Sequence, residues 1–412
     1  MSWRELPLSE LPIDVIDGDR GKNYPKQNEF HEKGYCVFLS ATNVTKSGFK
    51  FDTVQFIDEQ KDSALRKGKL SRNDVVLTTR GTIGNSAFFN ESIPYENMRI
   101  NSGMVILRVD QNKFYAPFLY SYLRSQLFLK KVDSIRSGAA QPQLPIRDLV
   151  TVKIPCPDIS EQIRASEFIS SYDDLIENNR RRIQLLEESA RLLYQEWFVH
   201  LRFPGHEQVN ITDGVPEGWT RLSVAECCEK PSYGYTASAN QDAIGPKFLR
   251  ITDIVPSSIS WANVPYCEAD EATTKKYQLG EGDIVVARTG ATVGYAKRMP
   301  SLSEPVIYAS YLVKFSPNKS IVDDLILGIF MESEQYKDFV RGNAGGAAQP
   351  NANAQILGGA KLLVPSELLQ KEFRSNVAPL IEQKFLLEKQ NTSLTKARDL
   401  LLPKLMSGEL TI

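Results

Sequence analysis

The pentapeptide Gly-Ala-Ala-Gln-Pro is written twice in this chain, at residues 138–142 and again at 346–350, about 210 residues later. A duplicated unit requires neighbouring stretches to recur in the same order and at the same offset, and they do. "FLSATNV" (38–44) is answered by "FLRITDI" (248–254), "NDVVLTTRGTIGN" (73–85) by "GDIVVARTGATVGY" (282–295), and "VKIPCP" (152–157) by "KLLVPS" (361–366). The chain reads as an internal tandem repeat, so whatever one half folds into, the other must also be able to fold into.

Within each half the first part is punctuated by Gly, Asn, Asp and Pro between short runs rich in Val, Ile, Thr, Phe and Tyr, such as "DVVLTTRG" and "DIVVARTG". Such runs predict strands joined by turns. Residues 115–132 and 323–340 carry apolar residues at helical spacing and predict one helix each. The class is α+β, with two globular, mainly-β domains expected over residues 1–150 and 206–360.

The second part of each half changes character. Asp158 to Phe203 contains no Gly and no Pro and opens on the capping pattern Asp158-x-x-Glu161. A second cap-like pattern, Asp174-x-x-Glu177, predicts a short helix followed by a longer one. Ile183, Leu186, Ala190, Leu193 and Trp197 then alternate steps of three and four, the a/d pattern of a coiled-coil seam. Leu387, Gln390, Leu394, Ala397 and Leu401 repeat it in the second half, from Leu380 beyond Pro379 to a stop at Pro403 and Gly408. Residues 151–205 and 361–412 are thus expected as helical spacer regions. Two helices of which the second must run back to bury its seam predict an antiparallel coiled coil between the globular domains, with pseudo-twofold symmetry. Residues 175–199 as helix would span about 37 Å, close to one turn of B-DNA. Pairing with a helix of another protein is the alternative use of such faces.

Composition narrows the function. At 412 residues and 42% apolar content each half can bury a core. No apolar run is long enough for a membrane span and the N-terminus lacks a secretory pattern, so a cytoplasmic protein is expected. Five cysteines without C-x-x-C spacing and three scattered histidines offer no metal-ligand set. The net charge of -1 argues against a wholesale nucleic-acid coat. The halves differ, though: residues 1–150 carry 21 Lys+Arg against 17 Asp+Glu, and residues 206–360 carry 13 against 18. No G-x-G-x-x-G loop follows a strand, no phosphate loop exists, and no nucleophile and base have supporting context. The chain is expected to catalyse nothing by itself.

Four stretches carry a resemblance: "VIDGDRGKNYPKQNEF" (15–30), "YDDLIENNRRRIQLLEESARLLYQEWFV" (172–199), "YGYTASA" (233–239) with "GPKFLRITDI" (245–254), and "LLPKLMSGEL" (401–410). With the order globular unit, helix, globular unit, helix, the chain resembles the specificity subunit of type I restriction-modification systems. The resemblance implies two target-recognition domains, each reading one half of a bipartite site in double-stranded DNA. It also implies helices that set the spacer and dock two modification (methyltransferase) subunits, with two restriction (motor-nuclease) subunits added for cleavage. S-adenosylmethionine, ATP and Mg are then expected on those partners and no cofactor on this chain. A single-chain restriction or methyltransferase enzyme and a coiled-coil adaptor without a DNA role are the competing readings.

Readout of bases needs forked donors or amides, and phosphate contacts need cations, hydroxyls and close-approaching backbone. "TTRGTIG" supplies Thr78, Thr79, Arg80 and Thr82, and its counterpart Arg288, Thr289 and Thr292. The stretches around the repeated pentapeptide supply Arg136, Ser137, Gln141 and Gln143, then Arg341, Asn343, Gln349 and Asn351. Lys22 adds a cation, and Tyr24, Tyr233 and Tyr235 add rings able to stack on a base. Salt bridges, loop-pinning amides and ordinary packing are the alternatives for these residues. Docking of the modification subunits is expected on Asn178, Asn179, Arg180, Arg181, Arg182, Lys384, Lys389 and Lys396.

Overall fold

The computed structural model describes residues 3–138, 142–346 and 350–410. They fall into two units, Met1–Asn178 with Asn391–Ile412, and Asn179–Gln390. Each expected globular segment lies within one unit, whereas both expected helical segments are divided between the two.

In the first unit β1 (Ile13–Asp17), β4 (Val75–Thr78), β5 (Ser86–Phe88) and β7 (Met104–Val109) form a sheet in the order β1-β7-β4-β5, antiparallel throughout. A second sheet sets β2 (Cys36–Leu39) between β3 (Phe56–Ile57) and β6 (Met98–Ile100), parallel to the latter. Val75, Leu77, Val105 and Leu107 point from the first sheet into a core shared with the helices. Val76, Met104 and Ile106 point the other way, onto Val37, Leu39, Met98 and Ile100 of the second sheet. Because both faces of the central strands are covered, their sequences are continuously apolar and do not alternate.

The second unit repeats this plan. β8 (Ser232–Tyr233), β10 (Ile284–Ala287), β11 (Ala296–Arg298) and β13 (Leu312–Phe315) are ordered β8-β13-β10-β11, and β9 (Lys247–Leu249) pairs in parallel with β12 (Val306–Tyr308). Ile284, Val286, Val313 and Phe315 face the helical core, while Val285, Ala287 and Leu312 face Leu249, Val306 and Tyr308.

Each expected single helix at 115–132 and 323–340 is in fact two. Ala116–Arg124 (α2) and Gln126–Ile135 (α3) meet at Ser125, and Asp324–Glu332 (α6) and Glu334–Asn343 (α7) meet at Ser333; Glu59–Ala64 is α1 and Glu271–Tyr277 is α5. Ser125 and Ser333 adopt extended backbone, and their hydroxyls accept the N–H of Phe128 at 3.3 Å and Tyr336 at 3.2 Å. A serine that caps a new helix satisfies an otherwise orphaned donor, which is why the helical period continues across a real break.

The long helices also differ from expectation. Ile159–Tyr194 (α4) is one continuous helix, ending in a π turn over Gln195–Val199, so Asp174 lies inside it and starts no second helix. Ala354–Gly358 is α8, and Glu367–Ser407 (α9) runs through both Pro379 and Pro403 to Gly408. Interior proline forfeits a hydrogen bond, but Phe373 and Val377 before Pro379, and Leu402, Leu405 and Met406 around Pro403, are buried in the unit cores and hold the helix through it.

Of the expected seam, Ile183, Ala190, Trp197 and Leu387 are buried, and Leu186, Leu193, Leu394, Ala397 and Leu401 are half-buried. Much of the helix burial falls outside that pattern. In the first unit Ala165 and Ile169 of α4 join Leu402, Leu405 and Met406 of α9 against α2 and α3, and Asp173 receives Arg124 and Arg398, each at 2.6 Å. In the second unit Phe373 of α9 packs edge-on to Trp197 and Phe198, at centroid distances of 5.6 and 4.8 Å.

One glutamine near the start of each long helix fastens it to the globular part. Gln162 accepts the N–H of Tyr115 at 2.8 Å and donates to the Pro157 carbonyl at 2.9 Å. Gln370 accepts the N–H of Asp323 at 2.7 Å and donates to the Pro365 and Ile321 carbonyls, both at 3.0 Å.

No helix among the described residues is long and apolar enough to cross a membrane. All five cysteines are free, and burial pushes the Cys36, Cys227 and Cys228 thiols up to about 12.

Asp62 is buried between Lys69, at 2.5 Å, and Arg99. Burial pushes its pKa up, but hydrogen bonds from Lys69 and Arg99 more than offset that and hold it below the usual carboxylate range. A depressed folded pKa stabilises above the unfolded value near 4, and that stability is lost as pH falls through the folded pKa. Asp62→Asn is expected to destabilise by about 3 kcal/mol at pH 7 through the stranded Arg99 charge. Urea unfolding against pH checks this, with the gap to wild type narrowing below about pH 4.

Candidate nucleic-acid interface

In each unit the residues that flank the repeated pentapeptide pair with each other beside the Arg/Thr/Gly loop. In the first, Ser137 and Gln143 exchange backbone hydrogen bonds at 3.0 and 2.8 Å, and the Leu144 N–H donates to the Thr79 carbonyl at 2.9 Å. In the second, Gly345 and Asn351 exchange bonds at 3.0 and 2.9 Å, and the Ala352 N–H donates to the Arg288 carbonyl at 2.9 Å. Gly138 and Gly346, which begin the two pentapeptides, have the same left-handed φ of 91°, a conformation glycine adopts without steric cost. Gln141 and Gln349 lie outside the described residues.

A third segment joins each pair of loops. Gly18, after β1, and Gly234, after β8, both press on backbone: a Cβ on Gly18 would stand 2.3 Å from the Asn101 carbonyl oxygen, and one on Gly234 2.3 Å from the carbonyl oxygens of Tyr308 and Ala309. In the first unit the following Asp19 accepts the N–H groups of Gly21 at 2.7 Å and Arg66 at 2.8 Å. Those backbone bonds hold its carboxyl below the usual range. Asp19 was not among the sequence candidates, although Asp-Arg-Gly is a signature of such side-chain-closed turns.

The candidates then separate by placement. Arg80 and Thr82 are exposed, as are Lys22, Arg136 and Ser137, and Gln143 is half-buried. Thr78 and Thr79 are buried, which removes them from the surface. The Thr78 hydroxyl donates within its own loop, to the carbonyls of Thr82 and Asn85. Arg136 pairs with Asp133 at 3.2 Å. Tyr24 lies edge-on to Phe38 at 5.6 Å and Tyr235 is tilted on Tyr277 at 5.4 Å, so both rings are engaged in packing.

In the second unit Thr289 and Thr292 are half-buried and Asn351 is exposed. Arg341 pairs with Asp338 at 3.3 Å, and the Asn343 amide donates to the Phe339 carbonyl at 2.7 Å at the end of its own helix. Tyr233 is 42% exposed; its hydroxyl accepts the N–H of Ala354, in the first turn of α8, at 3.1 Å. The Arg288 guanidinium lies 5.0 Å from the centre of that ring, a favourable cation–π arrangement. Its Nε is buried with no hydrogen-bond partner among the described residues, an arrangement that costs about 1–3 kcal/mol.

Arg80 and Arg288, which the sequence pairs, are not equivalent. β4 ends at Thr78, opposite Met104, and β10 ends at Ala287, opposite Leu312. Thr79 therefore corresponds to Arg288, and Arg80 to Thr289. The bridges Arg80 to Gln143 and Thr289 to Asn351 agree. Tyr311, 61% exposed, was missed: its carbonyl accepts the Arg288 N–H at 3.1 Å, where Gly103 serves the first unit. Nothing in "YASYLVKF" separates this tyrosine from those that pack. Among the expected docking residues, Asn179 is buried and donates to Gln390 at 3.1 Å, and Lys384 is largely buried on Glu187 at 2.6 Å; neither is available at the surface.

Residues 13–188 match the model of the type I restriction modification DNA specificity domain. Over most of its length the chain is also similar to type I restriction enzyme specificity subunits. The chain is 22% identical to the HindI specificity subunit of Haemophilus influenzae, with 99% of each covered, and 20% identical to the EcoKI specificity subunit of Escherichia coli, covering 99% of this chain and 89% of the relative. It is 23% identical to the MjaIX specificity subunit of Methanocaldococcus jannaschii over 83% of this chain and 78% of that one. A crystal structure of the type I S subunit of M. genitalium has the same fold at 15% identity, with a TM-score of 0.56 over 98% of this chain and 96% of that one.

Gly234→Ala, which drives a methyl group onto two carbonyl oxygens, is expected to destabilise the second unit by about 2–4 kcal/mol. Arg80→Ala, on an exposed side chain without a hydrogen bond or ion pair among the described residues, should stay within about 0.5 kcal/mol of wild type. Urea unfolding of both variants checks the pair.

Proposed function

We propose that this chain is the noncatalytic DNA-specificity subunit of a type I restriction-modification complex, in which each globular unit reads one half of a bipartite site. The observation that carries this is a shared frame with unlike surfaces. Both units have the same sheet order and the same pair of adjoining loops. Yet Arg80 and Gly103 stand in one where Thr289 and Tyr311 stand in the other. A duplicated frame offers similar surfaces to two identical partners, while the differing loop residues make an asymmetric target readable.

The seams of α4 and α9 support an antiparallel coiled coil in a tandem repeat of pseudo-twofold symmetry, and such a pair fixes the spacing between two readers. Two modification subunits bearing S-adenosylmethionine dock on this chain, and two restriction subunits bearing ATP and Mg complete the nuclease. Arg80, Thr82, Lys22, Arg136, Ser137 and Gln143 in the first domain, and Tyr233, Arg288, Thr289, Thr292, Arg341, Asn343 and Asn351 in the second, are the DNA-facing candidates of this reading. Arg182 and Lys396 remain exposed helix positions available to a partner.

The purified chain with DNA and S-adenosylmethionine is expected to transfer no methyl groups until modification subunits are added; transfer by the chain alone favours the single-chain enzyme. Removing four residues between Ile183 and Trp197 should change the spacer length recognised by the assembled methyltransferase. An unchanged spacer contradicts the role given to the helices, and salt-insensitive indifference to all DNA favours the adaptor.

A further inference from the structure

We propose that Arg288 is the base-reading residue of the second recognition domain, while Arg80 of the first is a phosphate contact. The inference rests on the DNA-specificity reading and divides labour within it.

Three observations single out Arg288. Its guanidinium is laid on Tyr233, and that ring is itself pinned through its hydroxyl to the Ala354 N–H. A stacked guanidinium loses little further freedom on forming a two-pronged contact. Next, the Arg288 side chain makes no hydrogen bond or ion pair among the described residues, and its Nε is buried and unpaired. The two terminal nitrogens have no partner of their own among the described residues and form a fork, the geometry that matches O6 and N7 of guanine in the major groove. Finally, Arg288 sits among residues 206–360, where acidic side chains outnumber basic ones by 18 to 13. An arginine in a domain with an acidic excess is poorly suited to a sequence-independent phosphate coat, which needs several cations together. Beside it, Tyr233 and Tyr311 are 42% and 61% exposed and supply apolar surface for the flanking bases.

Arg80 presents the opposite case. It is exposed, lies on no ring, and belongs to residues 1–150, where basic residues are in excess, 21 to 17. Its counterpart is Thr289, and the position equivalent to Arg288 in its own unit is the buried Thr79. A mobile cation on an open loop suits the phosphate backbone, which positions without specifying.

The test uses the chain assembled with its modification subunits, on a library of duplexes randomised at the target, with methylation read by sequencing. Arg288→Lys keeps the charge and loses the fork. It is expected to relax the preference for guanine at one position of one half-site by at least tenfold, the order of a bidentate Arg–guanine pair. The other half-site and binding to nonspecific DNA should be unchanged. Arg80→Ala is expected to weaken binding evenly across sequences and to reduce the slope of log affinity against log salt by about 1. Because the Arg288 Nε lacks a partner, Arg288→Met should leave the thermal midpoint at or above wild type, so a lost preference is not misfolding. Unchanged base preference in Arg288→Lys, an even loss across all sequences, or a lowered midpoint in Arg288→Met would each overturn the proposal. A wild-type complex without any sequence preference would sink the specificity reading itself, and this inference with it.

Discussion

The hydrogen-bonding demand of two backbone N–H groups, those of Tyr115 and Asp323, organises much of this molecule. Each stands half-buried where a globular part turns into a helix, and each is met by the amide of a glutamine one turn into a long helix. Gln162, almost wholly buried, also donates to the Pro157 carbonyl before its own helix, so it ties helix start and helix neighbour at once. An amide left without a partner in such a place costs about 1–3 kcal/mol. The clamp therefore fixes the direction of the helix against the sheet that carries the Arg/Thr/Gly loop. Orientation of that loop relative to the helix is thereby built into the fold of each unit.

On that frame the two units diverge where divergence is cheap. The buried side chains of β4, β7, β10 and β13 are largely apolar and covered on both faces, and changing them disturbs two cores together. The loops beyond them are held by backbone bonds between Ser137 and Gln143 and between Gly345 and Asn351, which do not depend on side-chain identity. Arg80, Thr289, Gly103 and Tyr311 can thus change without loss of the scaffold. Specificity is separated from stability by placing it on loops whose geometry the main chain maintains. Arg288 is the exception: its unpaired Nε is a stability cost retained at the proposed reading surface, the kind of local inconsistency that marks a functional position.

The α+β class was legible because it rests on local pattern, short β-rich runs between turns followed by stretches of helical spacing. Other features were not, for physical reasons. The helical period runs unbroken through Ser125 and Ser333, where the hydroxyl caps alter the backbone without altering the apolar spacing. Pro379 reads as a helix start, but the burial of Phe373 and Val377 outweighs the lost hydrogen bond. The equivalence of Thr79 with Arg288 is hidden because the second loop is one residue longer, from Ala287 to Tyr295 against Thr78 to Asn85, and the extra residue lets the two arginines align by eye. Tyr24 and Tyr235 could not be told from Tyr233 by sequence, since only their neighbours, Phe38 and Tyr277, decide which rings are free.

The proposed function requires both unlike loop surfaces to be used on the same DNA. Nuclease protection of DNA by the complex assembled on this chain tests this most directly. The account predicts two protected segments of unlike sequence, separated by a spacer whose length is fixed and whose sequence is unread. A single contiguous site, two identical half-sites, or protection independent of sequence would contradict it.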